Sequence, residues 1–535
     1  MPATFNLADL FEIVVDAVPE REALVAGDVR LTYRELEERS NRLAHVLAAC
    51  GVGAGDHVAI YAWNRAEWVE TWWASYKLRA IPINVNYRYV GDELRYVLAN
   101  ADVKAVVYEP EFAELLAEVA KDLPLLDVRL RLGEEYEAAL AAESAEREFS
   151  PRSSDDVYML YTGGTTGMPK GVVWRSEDIF YAALGGDGYG RGRIEDPYQL
   201  ADRARAAVPA RTVILPPLMH GAAQWGACNA FTGFLAGGTI VLYVEHRFDA
   251  DQVWRLAARE KASGINVVGD AMARPLVDAL DAHCAEYDLQ ALTAFGSGGA
   301  MLSPAVKTRI QAHLSSTRIS DGYGSSETGA GGSPSDPTDS RSRFRLNDDT
   351  VVLDELLRPI EPGSGITGRL ARSGHIPLGY YKDEIKTAET FPVAADGRRY
   401  VVPGDYATVD DDGVITLLGR GSQCINTGGE KVYPEEVETI IKEHPDVNDA
   451  LVVGVPDARF TERVSAVVEL RPGVSLTLDA LRDHCRGRLA GYKLPAWLTI
   501  VPNVPRSPAG KADYRQAKDL ASQASGEPST GLGAR

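Results

Sequence analysis

The stretch Tyr161-Thr-Gly-Gly-Thr-Thr-Gly-Met-Pro-Lys-Gly171 constrains this chain more than any other, because it packs four glycines, three threonines and one lysine into eleven residues. It follows the apolar run Val157-Tyr-Met-Leu160, which reads as a strand. Glycines let a backbone turn tightly and bring its N–H groups close to a ligand. Threonine hydroxyls add donors and Lys170 adds a point charge, so the parts are those of a phosphate cradle. A P-loop requires G-x-x-x-x-G-K-[ST]. Counted from Gly164, the second required glycine is Pro169, and Lys170 is followed by Gly171 instead of Ser or Thr. The P-loop register therefore fails. A Gly/Thr-rich hairpin between two strands is the plainer reading of the same residues.

A chain of 535 residues is too long for one compact core and predicts roughly two to four domains. Its net charge of −20 argues against nucleic acid as a partner, since a binder neutralises phosphates with a basic surface. No apolar run reaches the length of about 18 residues that a membrane span needs. The first residues, Met1-Pro-Ala-Thr-Phe-Asn6, lack the basic and apolar regions of a signal peptide. Five widely spaced cysteines without a CxxC make neither a disulfide framework nor a zinc site, and the expected compartment is the cytoplasm.

Taken in order, Leu31-Thr-Tyr-Arg-Glu-Leu36 begins with a β-prone pair and enters a helix with Leu36, Leu43 and Leu47 on one face. Strands at 57–61, 80–85 and 105–108 then alternate with helices at 67–79 and 94–100. Repeated βα units of this kind imply a parallel sheet covered by helices, hence an α/β fold. The stretch 178–211, rich in Gly, Ala, Arg and Asp, reads as a mobile surface loop or, with function attached, a lid. His220 closes Ile214-Leu-Pro-Pro-Leu-Met-His220, and a lone histidine at a strand end is usually structural or solvated.

Thr293-Ala-Phe-Gly-Ser-Gly-Gly-Ala300 runs into residues small enough to let a planar ring approach the backbone at Gly298, Gly299 and Ala300. Asp321-Gly-Tyr-Gly-Ser-Ser-Glu-Thr-Gly329 offers an aromatic ring (Tyr323), hydroxyls that include Ser326, and the Glu327 carboxylate. Glu327 suits magnesium, which takes few carboxylates and shares phosphate oxygens. Asp405, after Gly404, is placed to accept bonds from two ribose hydroxyls. Beyond Arg420 the chain restarts as a smaller domain, with a helix from Pro434 and strands near 450–455 and 463–469. Lys511 closes the Pro/Gly-shaped loop Pro505-Arg-Ser-Pro-Ala-Gly-Lys511; alone, such a lysine is a solvated surface charge.

Together these strings resemble the adenylate-forming superfamily of acyl-CoA synthetases, luciferases and peptide-synthetase adenylation domains. The resemblance spans residues 30 to 515 with six motifs in order. It departs at Gly163, where many members carry Ser, at Ser326 for Thr, and in the hinge motif, where Gln423 and Asn426 replace an acid and a lysine. The resemblance implies a large N-terminal domain, 1–419, of βα-layered subdomains with parallel sheets and a small β-barrel-like part. It further implies a hinge at 420–423 and a small mobile α+β domain at 424–517, and composition gives a disordered tail at 518–535. ATP, Mg²⁺ and coenzyme A are the implied cofactors. Pyrophosphate falls to Thr162, Gly163, Gly164, Thr165, Thr166, Gly167 and Lys170, and magnesium to Glu327 with Thr162. The α-phosphate falls to Ser326 and Lys511, adenine to Gly298–Ala300 with Tyr323 stacking in the Asp321–Gly324 string, and ribose to Asp405 and Arg420. His220 would line the route from the acyl pocket to the CoA tunnel, and Gly428, Gly429, Glu430 and Lys431 would line the tunnel once the small domain rotates.

Within the superfamily the strings GDAMARPL, RSGHIPLGYYKDE and INTGGEKVYPEEVE look most like actinobacterial ligases of steroid side-chain carboxylates. A fused-ring acid needs a wide apolar pocket, and small residues at 221–223, 296 and 299 would leave room. A medium- or long-chain fatty acyl-CoA synthetase, an acyl-AMP ligase loading a carrier protein, and a non-catalytic nucleotide-binding module are the other readings. Intact Lys170, Glu327 and Lys511 argue against the last. The partners expected are a hydrophobic carboxylic acid, ATP and CoA, and a homodimer stays open.

Overall fold

The structure, a computed structural model, describes residues 3–525 apart from 165–166, 189–191, 227–228, 301, 335–342, 347–348, 428–429, 458–460, 487, 490 and 508–509. The N-terminal βα units build a four-stranded parallel sheet in the order Ile81–Asn84, His57–Tyr61, Val103–Tyr108, Val128–Arg131. The Leu31–Leu36 motif works as expected. Thr32 caps the helix Tyr33–Ala49 and exchanges bonds with Glu35 in a capping box, satisfying otherwise orphaned N–H groups. That helix and Ala66–Lys77 bury one aromatic-rich core, in which Trp73 is fully enclosed and stacks on Phe11 at 4.1 Å. Truncating such a tryptophan to alanine costs about 3–5 kcal/mol.

A thirteen-stranded sheet forms the second layer. Its parallel half runs from Glu22–Ala26 through Thr239–Leu242, Arg211–Ile214, Gly264–Val267 and Ala294–Gly298 to Arg318–Ser325. From Arg318–Ser325 the ladder turns antiparallel, through Gly329–Pro334, Arg343–Leu346, Ile415–Arg420, Asp405–Val409, Gly368–Arg372 and Thr350–Leu353. Among the described residues this half stays an open ladder, where a barrel-like closure was expected. Asn64 and Asn84, at the carboxyl ends of strands in the four-stranded sheet, tie it to its neighbours. Asn64 donates to the carbonyls of Pro216 and Tyr243 at 3.3 Å, beyond two parallel strands of the large sheet. Asn84 donates to the carbonyls of Tyr161 and Met219 and accepts from the Tyr161 N–H, at 2.6–2.8 Å. Carboxyl ends of parallel strands are the usual ligand position in open α/β sheets.

Two expectations fail. The stretch 178–211 is not a loose loop: it holds the helix Gln199–Ala206, and Ile194, Leu200 and Ala204 are buried in the main core. Arg21 donates to the carbonyls of Ala204 and Gly237, and His375 pairs with Asp178 at 2.7 Å, so apolar anchors and two ties overrule the Gly-rich composition. At the other end, the helix Tyr514–Ser525 runs through the first eight residues expected as tail, because Ala517 and Ala521 pack fully buried on the small domain's sheet. Residues 526–535 lie outside the described ones.

The small domain begins where Ile415–Arg420 ends and a 3₁₀ turn, Gly421–Gln423, leads into Ile425–Thr427. Its long hairpin Val447–Asp457 and Thr461–Leu470 is covered by Pro434–Lys442 on one side and by the C-terminal helix on the other. Among the described residues no helix is long and apolar enough to cross a membrane.

Candidate active site

The glycine-rich stretch is a hairpin. Val157–Gly164 pairs antiparallel with Gly167–Arg175, with Thr162 opposite Lys170 and Gly164 opposite Gly167; Thr165 and Thr166 lie outside the described residues. Gly171 has to be glycine, because a Cβ there would stand 2.8 Å from both the Met159 sulfur and the Tyr161 ring. A third strand, Gly379–Tyr380, adds to the hairpin's outer edge against Val172–Val173. It brings two residues that the sequence did not mark as part of the site. Asp383 pairs with Lys170 at 2.5 Å, and the lysine charge also lies 5.5 Å from the Tyr380 ring centre. The bond from Lys170, with that from the Lys386 N–H, holds the Asp383 carboxyl below the usual carboxylate range. The Tyr380 hydroxyl donates to Glu327 at 2.9 Å. Hairpin and acidic residue are thus joined through Tyr380.

On the opposite wall, Gly298 pairs with Gly322 in the parallel ladder, which sets Gly298–Ala300 beside Tyr323. A Cβ on Gly298 would meet nothing within 4 Å, whereas Gly299 adopts φ +79° and packs towards Ala222. The Tyr323 hydroxyl donates to the Asp405 carboxylate at 2.6 Å, and Asp405 stands opposite Arg420 in the antiparallel ladder. The expected stacking and ribose residues are therefore one unit, although the Arg420 side chain lies outside the described ones. Gly324 lies so close to Gly329 that a Cβ would collide with its carbonyl oxygen. Asp321 is placed otherwise than the sequence implied. It is 2% exposed, pairs with Lys307 at 2.5 Å and accepts from the Leu302 N–H, so it braces the turn after Ala300. Ser326 is fixed by Trp174, whose indole N–H donates to its carbonyl at 3.0 Å.

His220 stands at the N-cap position of the short helix Gly221–Gln224 without a side-chain capping bond, and its Nε2 is enclosed with no hydrogen-bond partner among the described residues. Burial, reinforced by the charges of Lys511 and Arg88, pushes the imidazole down to about 4, so it is neutral at pH 7. Lys511 itself is exposed on the small domain, yet near enough to act on His220. Its loop is held by Arg506, which donates to the Gly510 carbonyl and pairs with Asp449 at 2.7 Å. The strand Glu430–Val432 is in place, but Gly428, Gly429 and the side chains of Glu430 and Lys431 lie outside the described residues.

The arrangement can hold a polyanion between hairpin and Lys511, present one carboxylate beside it, and seat a nucleoside against Tyr323 and Asp405. Sequence reasoning assigned no site role to Tyr380, Asp383 or Asn84: the string RSGHIPLGYYKDE marks the first two only as a resemblance, and their bonds to Glu327, Lys170 and the Tyr161 carbonyl join segments at least 53 positions apart.

Known proteins carry the same pattern. The model of the AMP-binding enzyme family matches residues 11–381, and that of the AMP-binding enzyme C-terminal domain matches 436–511. A 3-oxocholest-4-en-26-oate–CoA ligase of Rhodococcus rhodochrous is 48% identical, over 96% of this chain and 95% of that protein. A medium/long-chain-fatty-acid–CoA/3-oxocholest-4-en-26-oate–CoA ligase of Mycobacterium marinum is also 48% identical, over 97% of each. Among solved structures, the anthranilate CoA ligase AuaEII in complex with anthranoyl-AMP superposes with TM-score 0.84 at 23% identity, covering 98% of this chain and 99% of that one. ATP-bound MatB from Rhodopseudomonas palustris gives TM-score 0.82 at 25% identity, covering 96% and 98%. With both parts matched in order and near-full-length relatives approaching half identity, the chain belongs to the AMP-binding enzyme family.

Proposed function

We propose that this protein is an ATP-dependent, AMP-forming acyl-CoA ligase whose acid is a steroid side-chain carboxylate. One chain of contacts supports the mechanism: Lys170 lies over the Tyr380 ring, the Tyr380 hydroxyl bonds Glu327, the Tyr323 hydroxyl bonds Asp405, and the charge of Lys511 acts on the enclosed His220. In the first half-reaction a carboxylate oxygen of the acid attacks the α-phosphorus of ATP and pyrophosphate leaves. Charge grows on the phosphoryl oxygens, and positioned cations and N–H donors stabilise it. Lys170 and the hairpin hold the leaving pyrophosphate, while Lys511 and Ser326 serve the α-phosphate. Gly298–Ala300 and Tyr323 take the adenine, and Asp405 with Arg420 the ribose.

Magnesium binds through one or two carboxylates plus substrate phosphates. Glu327 supplies the carboxylate, with Thr162 on the hairpin, and the ion would neutralise phosphate charge. In the second half-reaction the CoA thiol attacks the acyl carbonyl, its proton passes to solvent, and AMP leaves. Before it, the small domain pivots about Gly421–Gln423, withdraws Lys511 and brings the 428–431 loop to the thiol's path. The reading places the enzyme in the cytoplasm.

The names of the relatives support the acid: both carry a sterol-derived carboxylate. The second also carries medium and long fatty acids, so a fatty acyl-CoA synthetase is the competing reading. CoA-dependent AMP production with sterol acids of full, shortened and fully trimmed side chain, beside medium and long linear acids, separates them. A higher kcat/KM for any steroid acid supports the proposal, and a higher value for linear acids overturns the substrate while keeping the mechanism.

A further inference from the structure

We propose that the first two turns of the helix Gly269–His283 are the dock of the small domain, and that Arg274 is the positioning residue that holds Lys511 in place. This rests on the two-orientation reading above. Nothing in the nucleotide site uses Asp270 or Arg274, yet both are withdrawn from solvent: their side chains are 8% and 15% exposed. Arg274 reaches across to the small domain and donates to the Asn448 side-chain oxygen at 2.7 Å. Its other nitrogens donate to one Asp270 oxygen at 2.7 and 3.1 Å, and the second Asp270 oxygen accepts from the Ser303 N–H at 2.8 Å. The guanidinium is therefore aimed before the small domain arrives.

From Asn448 the connection continues to the lysine loop. Asn448 donates to Glu469, and the other Glu469 oxygen accepts from the Val504 N–H at 3.0 Å. Next to Asn448, Asp449 pairs with Arg506, which grips the Gly510 carbonyl, and the Ser507 N–H donates to the Lys511 carbonyl at 2.7 Å. The same two turns also meet that loop directly. Gly510, at φ +76°, is so close that a Cβ on it would stand 3.1 Å from the Ala271 Cβ. They thus contact the small domain at two points, a charged bond at Asn448 and a close approach at Gly510. Both must break when Lys511 leaves, whereas none of these residues touches the reacting atoms.

The test compares the half-reactions: pyrophosphate release from acid and ATP, and thioester formation from supplied acyl-AMP and CoA. Arg274→Ala is expected to slow the first about tenfold, the scale of one lost hydrogen bond to a charged group, and to leave the second within about twofold. Asn448→Ala should match it, and the double variant should be no worse than either alone. Ala271→Phe, at an exposed position, should give the same asymmetry by propping Gly510 away, and stands in if Arg274→Ala lowers the melting temperature. Equal loss in both half-reactions, or additive effects in the double variant, overturns the dock. Lys511→Ala run alongside separates the two ideas: if it too slows both steps equally, the two-orientation reading has failed, and if it alone is asymmetric, only the dock has.

Discussion

Lys170 and Lys511, the two lysines of the proposed site, are carried in opposite ways. Lys170 sits in a hairpin strand flanked by hydrogen-bonded neighbours on both sides, and its charge is already matched by Asp383. Lys511 stands exposed on a loop tied to the small domain by Arg506, with the neighbouring Gly510 packed close to Ala271 of the large domain. A fixed charge can bind a nucleotide throughout the cycle. A charge on a removable loop acts in one step only and vacates the space for the next.

The largest expected effect is that of Lys511→Ala. Acyl-AMP formation should fall about a thousandfold, within the range for losing one preorganised donor, with the KM for ATP little changed and thioester formation from acyl-AMP spared. Lys170→Ala should lower the same step about a hundredfold, but it should raise the KM for ATP as well; steady-state kinetics at varied ATP reads the split. If both variants changed kcat alone, the contrast between fixed and removable charge would be lost. Tyr380→Phe removes one hydrogen bond to Glu327, so the magnesium needed for half-maximal pyrophosphate release should rise about fivefold. Direct titration of the nucleotide-bound protein with Mn²⁺ gives the same comparison without turnover. No change in either would mean that Tyr380 merely packs.

The smallest effect is on pH. His220 is held near 4 in the fold and titrates near 6.5 when unfolded, so the unfolded chain binds more protons between those values. Its contribution to stability is whole above 6.5 and is lost as pH falls towards 4. His220→Gln should flatten that share of the decline in Tm; identical profiles would show that His220 is not held neutral.

The local structure around the glycine-rich motifs was legible in the sequence. Val157–Gly164, Ala294–Gly298 and Arg318–Ser325 are strands that run into the motifs read from glycine content and strand-end position. Composition misled where long-range burial decided. Ile194 and Leu200 pin a stretch that reads as a loop, and Ala517 and Ala521 fold eight residues of an apparent tail. Asp321 looked like a ligand contact because its string did, and only Lys307, fourteen positions earlier, reveals its structural work. The Tyr380–Glu327 and Arg274–Asn448 bonds were invisible for the same reason: pairing between distant segments leaves no periodicity to read.

The strand order of the large sheet also bears on how the chain is made. Leu24 lies beside Ile240, so the first strand finds its partner only after more than two hundred further residues have been synthesised, roughly 10–40 s later. The four-stranded sheet between residues 57 and 131 is complete long before that. Through the interval the strand Glu22–Ala26, paired only with Val29–Thr32, presents an open edge, the kind of surface that templates association between nascent chains. Faster synthesis of residues 33–240 shortens the time for which that edge is open.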